Sequence, residues 1–416
     1  MNNRVTVSVA FATMLGVSGC GGGGPQGVPP GGGTTVTVSL AGGAPTSAVV
    51  AIGNSTTFAP TTVQGNKVSF VVPPGSSNYA LAVACPPASG GVGNTELVIE
   101  ANFSDGVSYG SLGCSGIPLG TATGSFDVTQ IPGATSASVA GAFGTDAPLS
   151  GTSGPFSAQL ATGTNDVAII ANDANNIPLA VKFARGQSVP GTINGNAPII
   201  LTPADHLGSA PVTVNALPAG YTAFPGLIAT FQTANGTLIS LPAENPPSYR
   251  VLAAVDTAAG DSYAFSSVAS SSGPVPNAFV VATQYAPLAG AVTLNYPMPW
   301  SYAGPAPAAF PTFNFAYAGF PGVSKLTYQA QLAWQASANT TDTINVFATP
   351  GYLGSLTSIA MPNLAAVPGF FASAPAGAKV GWTGLIFGGS VQAFVYPPPV
   401  SGLRSIVQVS GNYIEP

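Results

Sequence analysis

The chain has 416 residues, of which 46% are hydrophobic and only 5% are charged, with 8 basic and 13 acidic side chains. Because no cluster of Lys and Arg occurs, the electrostatic footprint that nucleic acid or an anionic lipid surface requires is missing. After Cys20 no apolar run approaches the roughly 20 residues of a membrane-spanning helix. The high hydrophobicity therefore indicates many short buried strands.

The first 19 residues have the pattern of an export signal. A charged start with Arg4 precedes an apolar run over Val5–Val17, which has the length of a signal-peptide hydrophobic region. The run ends in Val17-Ser18-Gly19-Cys20, and this stretch resembles the lipobox of bacterial lipoproteins. The resemblance implies that residues 1–19 are removed and that Cys20 carries lipid. The alternative is an unmodified cysteine behind an ordinary export signal.

Residues 20–33 are predicted to be the lipidated cysteine and a flexible tether. The segment from Gly21 to Gly33 consists of Gly, Pro and Gln with Val28 as its one apolar side chain, so it has nothing with which to build a core. The membrane, reached through lipid on Cys20, is the first expected partner. In the family's sorting scheme Gly21, in place of Asp, permits transfer to the outer membrane. We therefore expect a lipid-anchored location in the cell envelope, on the outer membrane, at its periplasmic face or at the cell surface.

Two further cysteines, Cys85 and Cys114, remain once Cys20 carries lipid. In an oxidising compartment such a pair is expected to form a disulfide. A Cys-x-x-Cys redox motif is absent, and the one histidine, His206, is distant in sequence from both cysteines. We therefore predict a disulfide and no metal site here.

From Thr34 onward apolar and polar residues alternate, as in Val36–Leu40 and Val212–Val214. Gly, Pro, Asn and Asp interrupt these segments roughly every 8–12 residues, which predicts a β-sandwich or barrel. The 53 glycines and 40 prolines disfavour long helices. The sequence therefore predicts an all-β chain.

Similar segments recur roughly every 90–100 residues, the length of one β-sandwich domain. We interpret each of them as the opening strand of a domain: Val36–Leu40, Phe126–Ile131, Val212–Leu217 and Phe313–Tyr317. This predicts four β-sandwich domains, here called blocks one to four: residues 34–120, 121–210, 211–303 and 304–416.

One hairpin signature in block one resembles a known type of module. Phe70-Val-Val-Pro-Pro-Gly75 followed by Tyr79-Ala-Leu-Ala-Val83 is similar to carboxypeptidase regulatory-like and related transthyretin-like domains. The resemblance implies tandem immunoglobulin-like or transthyretin-like sandwiches that serve spacing or adhesion. It supplies no catalytic residue.

Few residues suggest chemistry. We interpret His206 as an exposed linker residue, although a catalytic triad would have to use it. The Asn172–Asn176 and Asp256–Asp261 segments are predicted hairpin turns, with calcium sites as the alternative. Glu96 and Glu100 are predicted to be solvent-facing strand residues, with a glycosidase acid pair as the alternative. We expect no catalytic residue, metal or cofactor.

The sharpest binding candidate is the aromatic stretch from Tyr296 to Phe320. Exposed rings on a proline-stiffened loop would stack on sugars or dock a partner, and Trp300, Tyr302 and Tyr296 are the candidate stacking residues. The alternative is that Trp300 and Tyr302 seal the junction between blocks three and four. Phe313, Phe315 and Tyr317 would then alternate into a core.

Three functions follow from these features. The first is a non-catalytic, lipid-anchored envelope lipoprotein that presents β-sandwich modules for binding, adhesion or spacing, with a glycan or a protein as ligand. The second is a carbohydrate-binding surface lipoprotein that uses the stretch near Trp300. The third is an envelope hydrolase, which the scarcity of His, Lys, Arg and paired acids disfavours.

Overall fold

The computed structural model describes residues 33–42, 44–85, 94–102, 105, 113–114, 118–223, 227–244, 248–272, 277–287, 290–320, 325–337, 340–390 and 401–416. These residues are nearly all β and form several sheets, which confirms the predicted fold class. The signal peptide, Cys20 and the tether up to residue 32 lie outside the described residues. None of the helices in the described part combines the length and the apolar character needed to cross a bilayer.

In block one a small sheet covers a larger one. Its strands are β1 (Thr34–Ser39), β2 (Ala41–Gly42), β3 (Ser47–Ile52), β4 (Ala59–Pro60), β5 (Thr62–Gln64), β6 (Lys67–Val72), β7 (Asn78–Cys85), β8 (Thr95–Asn102) and β9 (Gly113–Cys114). Strands β1, β6 and β5 form one sheet. Val68, Phe70 and Val72 alternate inward along β6 because one face of this strand meets the core. They pack with Leu81 and Ile99 of the facing sheet.

Block two is a sandwich of two sheets. Its strands are β10 (Leu119–Asp127), β11 (Ser136–Ala140), β12 (Asp146–Leu149), β13 (Ser153–Ala161), β14 (Gly163–Asn172), β15 (Pro178–Val189), β16 (Gly191–Thr192) and β17 (Ile199–Ile200), and 3₁₀ turns lie at Ile193–Asn196 and Pro203–Asp205. One sheet contains β13, β10, β16 and β17, and the other has the order β12-β11-β14-β15. The core between them consists of residues from block two alone, from Ala122 to Leu201.

Block three packs on the outer face of that sandwich. Its strands are β18 (Gly208–Val214), β19 (Tyr221–Ala223), β20 (Ile228–Gln232), β21 (Leu238–Glu244), β22 (Ser248–Val251), β23 (Ser262–Ser271), β24 (Asn277–Ala286) and β25 (Val292–Leu294), with a 3₁₀ turn at Ala254–Asp256. Ala168 and Ile170 of β14 share a core with Phe231 and Phe265. Because β14 is covered on both faces, it is buried continuously from Asn165 to Asn172.

Block four covers one face of its sheet with irregular chain. Its elements are β26 (Thr312–Asn314), β27 (Lys325–Ser337), β28 (Thr340–Ala348), α1 (Pro350–Leu353), β29 (Ser358–Ala360), β30 (Lys379–Gly389) and β31 (Gly402–Ile414). Residues 295–320, which begin in block three, and residues 349–378 are here called the irregular layer. They supply Trp300, Phe313 and Leu364 to a core with the long strands. Proline lacks the N–H that a strand interior donates, so the proline-rich part of this layer forms only the short pair β26–β29.

One long sheet joins three of the blocks. Its order is β25-β18-β22-β21-β20-β23-β24-β31-β30-β27-β28-β8-β7-β3-β4, with β19 beside β23. Strand β24 pairs antiparallel with β31, and β28 pairs parallel with β8. Blocks one, three and four are therefore linked by backbone hydrogen bonds, while the division into four domains stays a prediction.

The repeated segments do not all open strands as expected. Phe126 lies near the end of β10, which begins at Leu119, and Val212 lies in the second half of β18. The upstream residues Gly120–Gly124 include no large apolar side chain, yet they continue β10 because they pair with β13. Alternation thus marked only the better-buried part of these two strands.

Candidate functional site

The predicted disulfide is present. Cys85 closes β7, Cys114 lies in β9, and their sulfurs are bonded across a Cα–Cα distance of 4.8 Å. Both cysteines are buried in the core of block one. The bond therefore fixes β9 to the end of a central strand.

The three candidate stacking residues lie at the core under the irregular layer. Trp300 is only 4% exposed, and its ring stacks on Tyr302 with centroids 4.8 Å apart. Tyr302 is half-buried, and its hydroxyl accepts a hydrogen bond from the Asn314 N–H at 3.3 Å. The half-buried Tyr296 shares a hydrogen bond of 2.6 Å with the Ser267 hydroxyl. A sugar platform must present a ring face to solvent, so the burial of Trp300 favours the packing interpretation.

Glycines form the surfaces on which these rings pack, and sequence reasoning missed this role. A Cβ on Gly304 would lie 2.5 Å from Trp382 Cζ2, and one on Gly411 would lie 2.7 Å from the same atom. Trp300 Cη2 would lie 3.0 Å from a Cβ on Gly384. Only glycine leaves room for an indole at such positions. Glycines inside otherwise strand-like segments were the available signal, because a glycine within a strand marks a close approach.

The expectation that Glu96 faces solvent is wrong. Glu96 is 1% exposed, and its carboxylate accepts a hydrogen bond from the Phe371 N–H of the irregular layer. Burial raises the pKa of Glu96 to about 7 against the lowering effect of that hydrogen bond, and Asp342 adds to the rise. Alternation predicts exposure only where one face of a sheet meets water. Strand β8 is instead covered on both faces. Its Leu97 and Ile99 pack into the core of block one, and its Val98 packs into the core under the irregular layer.

Glu100 is half-buried, and burial raises the pKa of its carboxyl to about 7 as well. It lies on the same face of β8 as Glu96, four residues on, which is roughly 13 Å along an extended strand. Glycosidase carboxyl pairs lie only about 5–9.5 Å apart. The spacing along the strand therefore does not match a glycosidase acid pair.

The first oxygen-rich loop is a hairpin turn, as predicted. Between β14 and β15 the Asp173 carboxylate accepts hydrogen bonds from the N–H groups of Asn175 and Ile177, each at 2.8 Å. Asn176 adopts a φ of 60° there, which asparagine tolerates. These observations account for Asp173 and Asn176 as turn residues.

The second loop, Asp256–Asp261, connects a 3₁₀ turn to β23. Asp261 Oδ2 accepts a hydrogen bond from the Ala258 N–H at 2.8 Å, which closes the turn. The same carboxylate also receives Arg185 of block two, through Nη1 at 3.2 Å and Nη2 at 2.9 Å. This loop is thus both a turn, as predicted, and part of a contact between two blocks.

Arg185 is the centre of the densest charged group, here called the Arg185 cluster: Asp166, Lys182, Arg185, Asp205, Asp256 and Asp261. Arg185 Nη1 donates to Asp166 Oδ2 at 3.1 Å, Nη2 donates to the Asp256 carbonyl at 2.5 Å, and the guanidinium carbon lies 4.2 Å from the Phe183 ring centroid. Sequence reasoning missed the cluster because its members are up to 95 residues apart, from Asp166 to Asp261. The available signal was Asp166, a charge directly before the apolar Val167–Ala171.

The remaining members of the cluster lie beside this centre. Lys182 Nζ is 3.3 Å from Asp205 Oδ2, and the buried Asp256 Oδ2 has no hydrogen-bond partner among the described residues. Burial, followed by the charge of Asp205, raises the pKa of Asp256 to about 7. His206 is half-buried and forms a β-bridge with Ala180, so its surroundings differ from the exposed linker expected for it.

Other cavities and donor groups add little. A cavity of about 290 Å³ lies beside β15, at the small end of the range for small-molecule sites. Its lining is mostly apolar, and the one ionisable group in it, Lys182, is paired with Asp205. In the described ranges no three His, Cys, Asp or Glu side chains are grouped so as to hold a metal ion.

No protein-family model, no curated protein and no solved structure matches this chain.

Proposed function

We propose that this protein is a lipid-anchored lipoprotein of a bacterial cell envelope. Its β-sheet body is non-catalytic and serves binding, adhesion or spacing. The observation that carries the proposal is an order of segments. The lipobox-like Val17–Cys20 is followed by a Gly-rich stretch and then by the first strand, β1, at Thr34.

The start of the folded body sets the length of the tether. Gly33 already packs against the backbone of Val72, where a Cβ would clash with the carbonyl oxygen. About a dozen residues, 21–32, therefore separate Cys20 from the body. A Gly-rich chain of that length has a root-mean-square span of about 20 Å and a limit of about 40 Å. Such a tether would keep the body close to the membrane surface.

The Cys85–Cys114 disulfide supports export, because structural disulfides persist in oxidising compartments. The Arg185 cluster supports a structural role for the few charges, since Asp166 and Asp261 accept hydrogen bonds from Arg185 and from backbone N–H groups. Carboxylates held in this way support the proposal that the body is non-catalytic, because their oxygens are occupied by contacts within the fold.

Labelling with a palmitate analogue in a bacterial host tests the proposal. The full chain should take up label and sediment with membranes, whereas Cys20→Ser should do neither, since the thiol is the site of lipid attachment. The matched control is the double variant Cys85→Ser/Cys114→Ser, which keeps the lipobox and should be labelled like the natural chain. Equal labelling of the Cys20→Ser variant and the natural chain would contradict the proposal.

A further inference from the structure

Blocks two and three meet where the hairpin turn between β20 and β21 contacts block two. The Phe143 N–H donates to the Gly236 carbonyl at 3.2 Å, and Ala142 forms a β-bridge with Thr237. Asn235 Nδ2 donates to Asp166 Oδ1 at 2.9 Å. The tip of one block is thus hydrogen-bonded to the strand ends of the other.

Charge is concentrated at this junction. The whole chain has 8 basic and 13 acidic side chains, and six of them form the Arg185 cluster. Each block donates hydrogen bonds to the other. Arg185 of block two donates to Asp261 of block three, and Asn235 of block three donates to Asp166 of block two. Bidentate Arg–carboxylate pairs are the strongest and most directional of such contacts.

We propose that the Arg185 cluster is an electrostatic latch that holds block two on block three, and that the junction opens locally when the charge balance of the cluster changes. The apolar core that the two blocks share includes Ala140, Ala168, Ile170 and Val181 of block two, and Phe183 of block two also packs there, with its ring centroid 5.8 Å from that of Phe231. Apolar contact of this kind is non-directional, so the orientation of the two blocks is fixed by the directional contacts of the latch together with the backbone contacts of Ala142 and Phe143 to the β20–β21 turn.

At low pH the stability of the latch depends on Asp166. Burial acts to raise the pKa of Asp166, but hydrogen bonds from Asn235 and Gly186 and the charge of Arg185 outweigh it and hold the pKa below its ordinary value. A carboxyl with a lowered folded pKa stabilises above its unfolded pKa and loses that contribution as the pH falls through the folded value. Acid therefore opens the latch.

As the pH rises toward neutral, the stability of the latch depends on Asp256. Lys182 and Arg185 act on it from β15 and Asp205 acts on it from the 3₁₀ turn before β18. The folded pKa of Asp256, about 7, exceeds its ordinary value of 3.8. The contribution of Asp256 to stability therefore falls as the pH rises from about 4 to 7, and it does not change further above pH 7. The latch should be tightest in mildly acidic solution.

Amide hydrogen exchange of the full chain tests the latch. Arg185→Met should speed exchange at least tenfold in peptides covering 141–146 and 233–238, and leave peptides from β27 and β30 within twofold. Arg404→Met is the matched control: Arg404 also lies over an aromatic ring, that of Tyr285, but on β31, three strands from β20 in the sheet. It should leave the junction peptides unchanged.

A second variant tests the charge balance without removing the arginine. Asp256→Asn should slow exchange of the junction peptides several-fold at pH 8 and have little effect at pH 4, after correction for intrinsic exchange. The latch is overturned if Arg185→Met leaves the junction peptides unchanged or speeds all peptides equally. If Arg185→Met does not fold, Asp256→Asn decides, and equal junction exchange in this variant and the natural chain at pH 8 overturns the latch.

Discussion

Blocks one and two have nearly the same length, 87 and 90 residues, and a similar alternating pattern, yet they complete their cores differently. The core of block two lies between its own two sheets and uses residues 122–201 alone. The core of block one also takes in Phe347 and Phe387 of block four, and β8 pairs in parallel with β28. One sandwich is closed within a continuous segment, while the other depends on strands some 250 residues later in the chain.

The difference shows what a repeat length can and cannot predict. Alternation identifies the face of a strand that is buried, but it does not identify the strand that lies beside it. A strand with both edges paired and both faces covered has the same composition whether its neighbours are near or far in sequence. Block size therefore does not establish an independent domain.

Separate expression of the two blocks is the strongest test of this comparison. We expect residues 118–210 to fold with one cooperative unfolding transition, because their core is complete. Residues 34–120 alone should not, since removal of block four unpairs β8 and exposes Val98, which is fully buried in the whole chain.

Circular dichroism and amide spectra of the two fragments, prepared under oxidising conditions, provide the measurement. A well-dispersed spectrum from residues 34–120 would show that block one is an independent domain, and that β28 only extends it.

Two phenylalanine substitutions compare the cores within the full chain. Phe347→Ala and Phe156→Ala each remove a buried ring and should lower the free energy of unfolding by about 3–5 kcal/mol. The two substitutions should change hydrogen exchange in different parts of the chain. Phe347→Ala, in block four, should speed hydrogen exchange in β6 and β7 of block one, whereas Phe156→Ala should act only in block two. Unchanged exchange in block one after Phe347→Ala would refute the shared core.

Loss of the disulfide should have the next largest effect. Cys85→Ser/Cys114→Ser opens a loop with a sequence separation of 29 residues, and it should lower the free energy of unfolding by about 3 kcal/mol. Exchange should rise in block one and stay constant in block two. As a control on the bond itself, the folded natural chain should take up no alkylating label at these cysteines until it is reduced. Labelling of both thiols without reduction would exclude the disulfide.

The smallest expected effect concerns pH and the contact between block one and the irregular layer. Because the folded pKa of Glu96 is about 7 and its ordinary value is 4.5, its contribution to stability falls as the pH rises from about 4.5 to 7. Glu96→Gln keeps an oxygen for the Phe371 N–H and removes the charge. The variant should therefore be more stable than the natural chain at pH 8 and differ little from it at pH 4.

Denaturant unfolding at both pH values measures this gain, with Asp146→Asn, an exposed carboxyl on β12, as the control that should follow the natural profile. A gain of the same size at both pH values would assign the effect to packing rather than to ionisation.

Local chemistry in the sequence predicted the all-β class, the turn at Asp173–Asn176 and the Cys85–Cys114 bond. The fold class depends on composition, and the turn depends on a few adjacent residues. The disulfide could be predicted because only Cys85 and Cys114 remain once Cys20 is assigned to lipid. The parallel pairing of β8 with β28, the burial of Glu96 and the contact of Arg185 with Asp261 depend on distant parts of the chain meeting. No local pattern encodes such meetings, so they could not be predicted from one sequence.

The core under the irregular layer also determines what optical spectroscopy can see. The chain has three tryptophans, and Trp300, Trp334 and Trp382 all lie in that one core. Block two contains neither tryptophan nor tyrosine. Intrinsic fluorescence excited at the indole band therefore reports on the long strands of block four and is silent on block two. A melting curve recorded in this way would miss early unfolding of the sandwich, and a tryptophan introduced at Phe156 would supply the absent probe.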